Sequence, residues 1–308
     1  MAGSELVSLV TGAAGFVGSH LTRQLVHDGF RVHAVVRSGN PGPRLYDVRD
    51  TITVHPVDLR DESAVRRLVR IVQPEYIFHT AAAGFFIGQP LPDFEYTDSN
   101  VTGTMHLLSA LRQVPYQCFI NTGSSSEYGI KDVPMREDDI CKPNNAYAIS
   151  KLRATRAVVA EAHSYGKPVL TLRLFSPFGP FDDPRRFIPE AIQILRKNQT
   201  LTLSNPQAER DYIFIDDVVS AYIYAMQYAL QLKGEVFNIG SGIGRPINTV
   251  AQILKYAMDS KSLIKEPREM LRPIRWQADI TKARNLLHWK PKISFEDGIK
   301  RTITHCIA

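Results

Sequence analysis

Tyr147 and Lys151 carry the clearest chemical signal in the sequence. Their spacing of four residues places a phenol and an ammonium on one face of a helix. An ammonium beside a tyrosine favours the phenolate form, so Tyr147 is a candidate general acid and base. Tyrosine and lysine also occur four residues apart by chance, so the prediction of a catalytic pair depends on the segments around it.

Ser124 lies upstream in the segment 122–129, TGSSSEYG, which begins where an apolar run ends. Ligands of parallel sheets bind at the carboxyl ends of the strands, and a serine hydroxyl there is able to hydrogen-bond a reacting carbonyl or alcohol oxygen. The alternative for each serine is a role in a turn or a helix cap. Ser124, Tyr147 and Lys151 together predict a proton-transfer site.

A glycine-rich turn, TGAAGFVG at residues 11–18, separates the first apolar run from the first helical pattern. Gly12 permits a sharp turn, Gly15 lets backbone N–H groups approach a pyrophosphate, and Gly18 allows close packing of helix on strand. The helix N-terminus that follows offers unpaired N–H groups to phosphates. Glycines also mark ordinary turns, but this context favours a dinucleotide site. The predicted contacts are Gly12, Ala14, Gly15, Phe16, Val17 and Gly18.

The end of the second predicted strand bears on the choice of dinucleotide. An acidic residue there binds the ribose hydroxyls of NAD, whereas this chain has Arg37, which suits the 2′-phosphate of NADP. We therefore expect NADP(H), with NAD(H) as the alternative and a solvated loop cation as the ordinary explanation of Arg37. Asp58 and Leu59 follow the third strand and are predicted to contact adenine, although Asp58 is equally suited to cap the next helix.

An alternation of strands and helices is needed to position these residues. Near-continuous apolar runs predict strands at 6–11, 31–36, 51–55, 76–80, 117–122 and 168–174, and helical patterns separate them. This alternation is typical of a doubly wound parallel sheet, a Rossmann-type α/β fold. We predict a dinucleotide-binding domain at 1–175, to which 211–240 returns, and a smaller substrate-binding lobe at 176–210 and 241–308.

Composition limits the partners of the chain. Its formal net charge of +6 suits an anionic ligand, but its basic residues are scattered rather than gathered in blocks typical of nucleic-acid binding. Three widely spaced cysteines without a CxxC pair argue against a disulfide framework and a metal site, and fit a reducing cytoplasm. No apolar run reaches the ~18 residues of a membrane span, and the N-terminus does not resemble a signal peptide. We expect no metal, nucleic acid or membrane partner.

Taken in order, these motifs resemble the extended short-chain dehydrogenase/reductase family, also called the NAD-dependent epimerase/dehydratase family, over essentially the whole chain. Further matching segments are 79–82 (HTAA), 100–104 (NVTGT), 210–217 (RDYIFIDD), 279–283 (DITKA) and 288–291 (HWKP). The resemblance implies Tyr147 as the catalytic acid and base, Lys151 as the residue that tunes it and binds the nicotinamide ribose, and Ser124 as the catalytic hydroxyl. It also implies that Asn100 supports the active-site helix, and it adds cofactor contacts at Thr80, Ala81, Ala82 and Thr122.

The resemblance further implies a nucleotide-diphosphate sugar as substrate and a homodimer formed by helices at 100–112 and 146–165. Arg210 is similar to the family arginine that binds the diphosphate, with an exposed loop cation as its alternative. Ser176 stands where relatives commonly have asparagine, which leaves the nucleotide and the sugar open. The predicted substrate contacts are Ser125, Phe85, Phe86, Ser176, Arg186 and Arg210, although a core role suits Phe85 and Phe86 equally.

The residues after Ser124 separate the reactions of this family. Members that dehydrate sugars carry an Asp-Glu pair where this chain has Ser125 and Ser126, which disfavours dehydration. The stretch GSSSEYG is more similar to nucleotide-sugar 4-keto-6-deoxy reductases, and with Arg37 it favours reduction at sugar C4 by NADPH. The first alternative is a 4-epimerase, or a dehydratase, that recycles tightly bound NAD. The second is a non-catalytic module that senses NADP(H).

Overall fold

The computed structural model describes residues 6–84, 89–267 and 274–307. The strands in chain order are β1 (Val7–Thr11), β2 (Arg31–Val35), β3 (Ile52–His55), β4 (Tyr76–His79), β5 (Cys118–Ser124), β6 (Val169–Leu174), β7 (Pro177–Phe178), β8 (Leu201–Thr202), β9 (Glu209–Asp211), β10 (Ile213–Phe214), β11 (Val236–Ile239), β12 (Gly244–Pro246) and β13 (Ile264–Lys265). The helices are α1 (Phe16–His27), α2 (Glu62–Val72), α3 (Asp93–Tyr96), α4 (Gly103–Leu111), α5 (Ala146–Tyr165), α6 (Phe187–Arg196), α7 (Ile215–Tyr228), α8 (Ile247–Ala257), α9 (Thr281–Leu286) and α10 (Phe295–Ile307).

Seven strands form one parallel sheet in the order β11-β6-β5-β4-β1-β2-β3. Thr11 at the end of β1 lies beside Val35 on one side and His79 on the other. The strand order reverses between β1 and β4, and doubly wound sheets bind ligands at the carboxyl edge beside such a reversal. The predicted Rossmann-type fold is confirmed.

The sheet is buried because helices cover it. All five residues of β1 and all six of β6 are buried, as expected for strands with apolar neighbours on both faces. Helix α2 turns Val65, Leu68, Val69 and Val72 inward, and these side chains join strand residues such as Leu9, Ile77 and Phe119 in one hydrophobic cluster. The charged face of α2 remains outside, which is the amphipathic pattern read from the sequence.

Local capping fixes where α5 begins and ends. The Asn145 side chain accepts a hydrogen bond from the backbone N–H of Ala148 at 2.9 Å, which satisfies one of the open donors of the first turn. Gly166 ends the helix with a φ of 62°, a left-handed conformation that glycine adopts without strain. Tyr147 therefore lies in the first turn of α5, and Lys151 lies one turn later.

The helix predicted at 100–112 differs in its first part. Residues Thr97–Thr102 form a π-helix, and regular helix α4 begins only at Gly103. A π-turn inserts one extra residue per turn and is common at functional sites. Here it places Asn100 on the buried side. Strand β10 has only two residues, because Ile215 already belongs to α7.

Contacts divide the chain into two compact units. The first comprises residues 1–127, 143–173 and 219–237, and the second comprises 128–142, 174–218 and 238–308. Residues 128–142 belong to the second unit by their contacts. The predicted bounds place them in the dinucleotide-binding domain at 1–175. Among the described helices, none is both long and apolar enough to span a membrane.

Two histidines face each other at the edge of the sheet. His33 on β2 and His55 on β3 are joined by a 2.8 Å hydrogen bond from ring nitrogen to ring nitrogen, and their rings are stacked with centroids 5.1 Å apart. Burial, the neighbouring His55 and then Arg31 lower the pKa of His33 to about 4. Burial also lowers the pKa of His55. The pair is therefore neutral in the folded protein at physiological pH.

This pair is expected to make the protein sensitive to acid. An unfolded histidine takes up a proton below about pH 6.5, whereas folded His33 takes one up only near its lowered pKa, so stability is lost as pH falls through that window. We expect the variant His33→Gln to lose less unfolding free energy between pH 7 and pH 5 than the wild type, measured by urea denaturation. His27→Gln is the control, since the His27 side chain is 82% exposed. An equal loss in His33→Gln and wild type would contradict the assignment.

Candidate active site at the carboxyl edge of the sheet

The turn between β1 and α1 has the shape of a phosphate cradle. Gly12 has a φ of +67°, and a Cβ there would stand 2.6 Å from the backbone of Ala81. The backbone N–H of Gly15 closes the turn by donating to the Gly12 carbonyl at 2.8 Å. A Cβ on Gly18 would collide with the Gly12 carbonyl and the Thr80 hydroxyl, so glycine is needed at positions 12 and 18.

The first turn of α1 is open to an anion. No side chain caps its N-terminus at Gly15, and the first turn contains no acidic residue. Its backbone N–H groups and the positive end of the helix dipole therefore suit a pyrophosphate. The loop residues predicted from the sequence, including Ala14, Phe16 and Val17, lie at this turn. The chain thus fits a dinucleotide on the geometry of the loop itself.

The residues predicted to contact the adenosine half lie beyond β2 and β3. Arg37 is exposed and is the second residue after β2. The Asp58 carboxylate accepts from the Arg60 guanidinium at 2.6–3.0 Å, and this bond lowers the pKa of Asp58, with a smaller contribution from Arg37. Asp61, rather than Asp58, caps α2. Leu59 is buried, and its carbonyl lies 3.0 Å from the His106 ring, which ties this loop to α4.

The end of β4 is bonded to the end of β1. The Thr80 hydroxyl donates to the Thr11 carbonyl at 2.7 Å, and the backbone N–H of Ala81 lies 3.4 Å from the Thr11 hydroxyl. Thr122 on β5 donates to the His79 carbonyl at 2.8 Å, and its hydroxyl also lies 2.6 Å from the phenol oxygen of buried Tyr222. These bonds bring the predicted residues Thr80, Ala81 and Thr122 to one edge of the sheet.

Helix α5 places Tyr147 and Lys151 at the same edge. Tyr147 is partly exposed, and its ring packs edge-on against the buried ring of Tyr96 with centroids 5.9 Å apart. Lys151 is only 4% exposed. Burial lowers the pKa of Lys151 to about 8, while the negative charge of Glu127 opposes the shift. The ammonium is thus close to its titration point at neutral pH, which suits a group that tunes a neighbouring phenol.

Buried His79 connects helix α4 with the glycine-rich turn. Its ring nitrogens lie 2.7 Å from the Thr11 hydroxyl and 2.8 Å from the Thr104 hydroxyl. Burial, followed by the charge of Lys151, lowers the pKa of His79 to about 3, so the ring is neutral. The Thr104 hydroxyl already donates to the Asn100 carbonyl at 2.6 Å. The hydrogen-bond network therefore assigns the ring hydrogen to Nε2, which donates to Thr104, and Nδ1 accepts from Thr11.

Asn100 holds the loop after β4 against α5. Its amide oxygen accepts from the Ala83 N–H at 2.7 Å, and its amide nitrogen donates to the Ala83 carbonyl and to the Ser150 hydroxyl at 3.2 and 2.9 Å. The Ser150 hydroxyl in turn donates to the Tyr147 carbonyl at 2.7 Å. Asn100 and Ser150 thus tie the loop after β4 to the first turn of α5, and the π-helix gives the Asn100 side chain its inward direction.

Ser124 is positioned by a buried carboxylate. Glu127 is fully buried and accepts from the Ser124 N–H at 2.8 Å, from the Thr155 hydroxyl at 3.0 Å and from the Arg173 guanidinium at 2.8 Å. The Ser124 hydroxyl accepts from the Ser126 N–H at 3.2 Å. Glu127 thus joins β5, α5 and β6 directly behind the predicted catalytic residues.

The predicted substrate contacts lie in separate parts of the chain. Ser125 is buried in the short 3-10 helix Ser125–Tyr128 after β5. The other described contacts belong to the second unit: Ser176, whose carbonyl accepts from Ile213 at 3.3 Å; Arg186, which lies 3.5 Å from Asp182; and Arg210, whose guanidinium lies 5.1 Å from the centre of the Trp276 ring. Phe85 and Phe86 lie outside the described residues.

Two residues of the site have roles that the sequence did not indicate. In the sequence, His79 was named only as part of the matching segment 79–82. A histidine at the end of an apolar strand nevertheless indicates a polar role at that position. Glu127 lies one position beyond the Asp-Glu pair of the members that dehydrate sugars, and nothing local indicated its partner Arg173, which is 46 residues away. Both roles depend on pairing between distant segments.

The chain belongs to the NAD dependent epimerase/dehydratase family, whose sequence profile matches residues 8–240. UDP-N-acetyl-alpha-D-glucosaminuronate decarboxylase from Bacillus cytotoxicus is 30% identical over 318 residues, which cover 96% of each protein. The UDP-glucose 4-epimerase of Thermotoga maritima, solved with UDP-glucose, has a TM-score of 0.88 at 27% identity, over 97% of this chain and 98% of that one. The UDP-glucose 4-epimerase of Thermus thermophilus, solved with NAD, has a TM-score of 0.87 at 25% identity, over 98% of this chain and 99% of that one.

These similarities confirm the predicted family and the prediction that the chain is an enzyme. They fit the 4-epimerase alternative better than the predicted 4-keto-6-deoxy reductase. The family description specifies NAD, and the preference for NADP predicted from Arg37 finds no support among these relatives.

Proposed function

We propose that the protein is a 4-epimerase of a nucleotide-diphosphate sugar and keeps NAD bound through its cycle. One observation carries the proposal: the line of hydrogen bonds from Thr11 through His79 and Thr104 to Asn100 and Ser150. It joins the glycine-rich turn to the helix that bears Tyr147 and Lys151. A redox site needs both parts at one edge, since the acid and base must act beside the nicotinamide. Similarity to two UDP-glucose 4-epimerases supports the reaction and a UDP-sugar substrate.

The side chains of this site are suited to moving one proton. NAD held at the glycine-rich turn would supply a reversible hydride acceptor for the oxidation and reduction of sugar C4. Tyr147 takes the proton of the C4 hydroxyl as the ketone forms and gives it back as the alcohol re-forms. Ser124 hydrogen-bonds the reacting oxygen, and the Lys151 ammonium favours the phenolate that Tyr147 needs at the start. Substrate and product then differ only in configuration at C4.

The environment of Glu127 argues against dehydration. That reaction needs an ionisable acid and base beside the sugar, whereas residues 125 and 126 are serines. Glu127 is fully buried and is occupied by Arg173, Thr155 and the Ser124 N–H. A carboxylate with these partners is a structural acceptor rather than a proton donor to substrate.

A reductase that consumes NADPH is the second candidate, and Arg37 is the observation that favours it. Arg37 is exposed two residues after β2, where a 2′-phosphate would lie, and the nearby Asp58 carboxylate is occupied by Arg60.

Turnover with purified protein distinguishes the two reactions. For the epimerase, we expect UDP-glucose or UDP-glucuronate to convert to its 4-epimer, separated by anion-exchange chromatography, with no net change in the absorbance of reduced cofactor. Stoichiometric oxidation of NADPH with a UDP-4-keto-6-deoxy sugar, and no epimer from either alcohol sugar, would establish the reductase instead.

Arg37 is expected to recognise the 2′-phosphate whenever NADP is offered. Arg37→Gln should weaken NADP binding about tenfold or more, the effect of losing one charge-assisted pair, and should leave the Kd for NAD within about twofold. Calorimetric titration of both dinucleotides measures this. Arg49→Gln is the control, because Arg49 is 49% exposed in the segment between β2 and β3. An unchanged Kd for NADP would show that Arg37 is a solvated cation.

The predicted homodimer remains a proposal. Helices α4 and α5, which the family resemblance assigns to the interface, expose Met105 and Ile149 with 55% and 38% of their surface accessible. Apolar side chains at these positions suit a protein partner.

A further inference from the structure

Two arginines stand directly opposite each other in the second unit. Strands β9 and β12 form an antiparallel ribbon in which Arg245 is the register partner of Arg210. Directly opposed residues of an antiparallel pair project from the same face with their Cβ atoms about 5 Å apart, and like charges placed in this way repel. An opposed pair of guanidinium groups therefore needs a reason to be held there.

Asp211 anchors the ribbon. Its fully buried carboxylate accepts from the Ser241 N–H and hydroxyl at 2.6 Å each, and from the Gly242 and Ala278 N–H groups at 3.0 Å each. These bonds fix the turn that leads into β12 against β9, and this turn directly precedes the strand that carries Arg245. The juxtaposition of Arg245 and Arg210 is built into the fold rather than being a chance contact of flexible side chains.

Both guanidinium groups lie over aromatic rings. Arg210 lies 5.1 Å from the centre of the Trp276 ring, and its NH1 donates to the Glu209 carbonyl at 3.1 Å. Arg245 lies 4.6 Å from the centre of the Phe295 ring. Its NH1 is buried and has no hydrogen-bond partner among the described residues. Arg210 is partly buried, and this burial lowers its pKa.

A further arginine, Arg186, lies near Arg210. Arg186 and Arg210 both act on the neighbouring Tyr212 ring, and Asp182, which lies 3.5 Å from Arg186, is the one carboxylate that acts there with them. The neighbours of Arg210 on β9 project to the opposite face, where Glu209 lies 3.6 Å from Arg275 and Asp211 is bound by amides. Among the described residues, neither Arg210 nor Arg245 forms an ion pair.

We infer that Arg245 is a second binding residue for the substrate's diphosphate, and that Arg210 and Arg245 together hold its two neighbouring phosphate groups. Two opposed planar cations match two linked phosphates, because each guanidinium is able to form paired hydrogen bonds to one of them. The inference rests on the proposed nucleotide-diphosphate substrate and extends it to a residue that the sequence motifs did not include. The alternative is that Arg245 only packs on Phe295.

Direct binding without turnover tests this. We expect Arg245→Gln to raise the Kd for UDP and for inorganic pyrophosphate about 10–100-fold in isothermal titration calorimetry, with a smaller change for UMP and none for uridine. Arg245→Lys retains the charge and should recover part of the loss. Arg275→Gln removes a 56% exposed cation from the other face of the same ribbon and should leave each Kd within about twofold.

Three outcomes would overturn the inference. One is an unchanged Kd for UDP and pyrophosphate in both Arg245 variants, and another is the lack of any binding of these ligands by wild type. The third is an equal loss for uridine, which would mark a general structural defect. If Arg245→Gln does not fold, the test relies on Arg245→Lys alone. Kd values of this variant for UDP, pyrophosphate and UMP that all equal those of wild type would then contradict a paired site. These titrations contain no sugar substrate, so their outcome is independent of epimerase activity. A protein without epimerase activity can still show the expected changes in Kd, and a protein with normal activity can fail to show them.

Discussion

Replacing Tyr147 with phenylalanine is expected to slow turnover about 100-fold or more while the folded protein still binds its cofactor. The change removes only the hydroxyl that carries the proton. The ring keeps its packing against Tyr96, 5.9 Å away, so the position of α5 should not shift. Measuring kcat with a UDP-sugar and the Kd for NAD on the same preparation separates the loss of acid–base chemistry from a loss of binding.

Tyr165→Phe provides the matched control for this variant. Tyr165 ends the same helix and is 54% exposed, so losing its hydroxyl should leave kcat unchanged. If Tyr147→Phe turned over as fast as wild type, Tyr147 would not be the proton carrier. If neither wild type nor variant had activity on any UDP-sugar while both bound dinucleotide, the chain would instead fit a non-catalytic sensing module.

Removing the charge of Glu127 is expected to destabilise the protein by about 3–5 kcal/mol, the usual cost of breaking a buried ion pair. The Glu127 and Arg173 side chains are 0% and 6% exposed and lie 2.8 Å apart. Glu127→Gln keeps an oxygen for the Ser124 N–H and the Thr155 hydroxyl. The loss of unfolding free energy therefore measures the cost of leaving the buried Arg173 charge unpaired. Urea denaturation at pH 7 measures it.

A double-mutant cycle shows whether the pair or the single charge is responsible. The combined variant Glu127→Gln with Arg173→Met removes both charges, and we expect it to be more stable than either single variant. Glu62→Gln is the surface control: Glu62 and Arg66 are only 2.6 Å apart but 48% and 61% exposed, so the loss should stay below about 1 kcal/mol. Additive losses in the cycle would mean that the two side chains act independently.

The local signals in the sequence were sufficient for the fold and for part of the site. Apolar runs of five to seven residues separated by amphipathic helices predicted the order of strands, because each run must be buried on both faces. The glycine spacing at 12, 15 and 18 predicted the tight turn, since a Cβ at Gly12 or Gly18 would overlap neighbouring backbone. The spacing of Tyr147 and Lys151 needed only the period of a helix.

Relations between distant segments lay beyond such signals. The helix predicted at 100–112 gave no indication of the π-turn that directs Asn100 toward Ser150, because that turn depends on packing against α5. The predicted reductase also relied on local likeness around Ser124 and on Arg37, whereas whole-chain similarity favours the epimerases. Short motifs are shared across the family, and they specify the chemistry of the cofactor better than the outcome for the sugar.

By itself, the sequence determined the sheet, the tight glycine-rich turn and the Tyr–Lys pair, since each depends on residues close together along the chain. Only the tertiary structure decided that His79 links Thr11 to Thr104, that Glu127 binds Arg173, and that Arg245 stands across from Arg210. His79 is 68 residues from Thr11 and 25 residues from Thr104, and Glu127 is 46 residues from Arg173. No local propensity encodes them, because sheet pairing and burial of the intervening chain set which side chains meet.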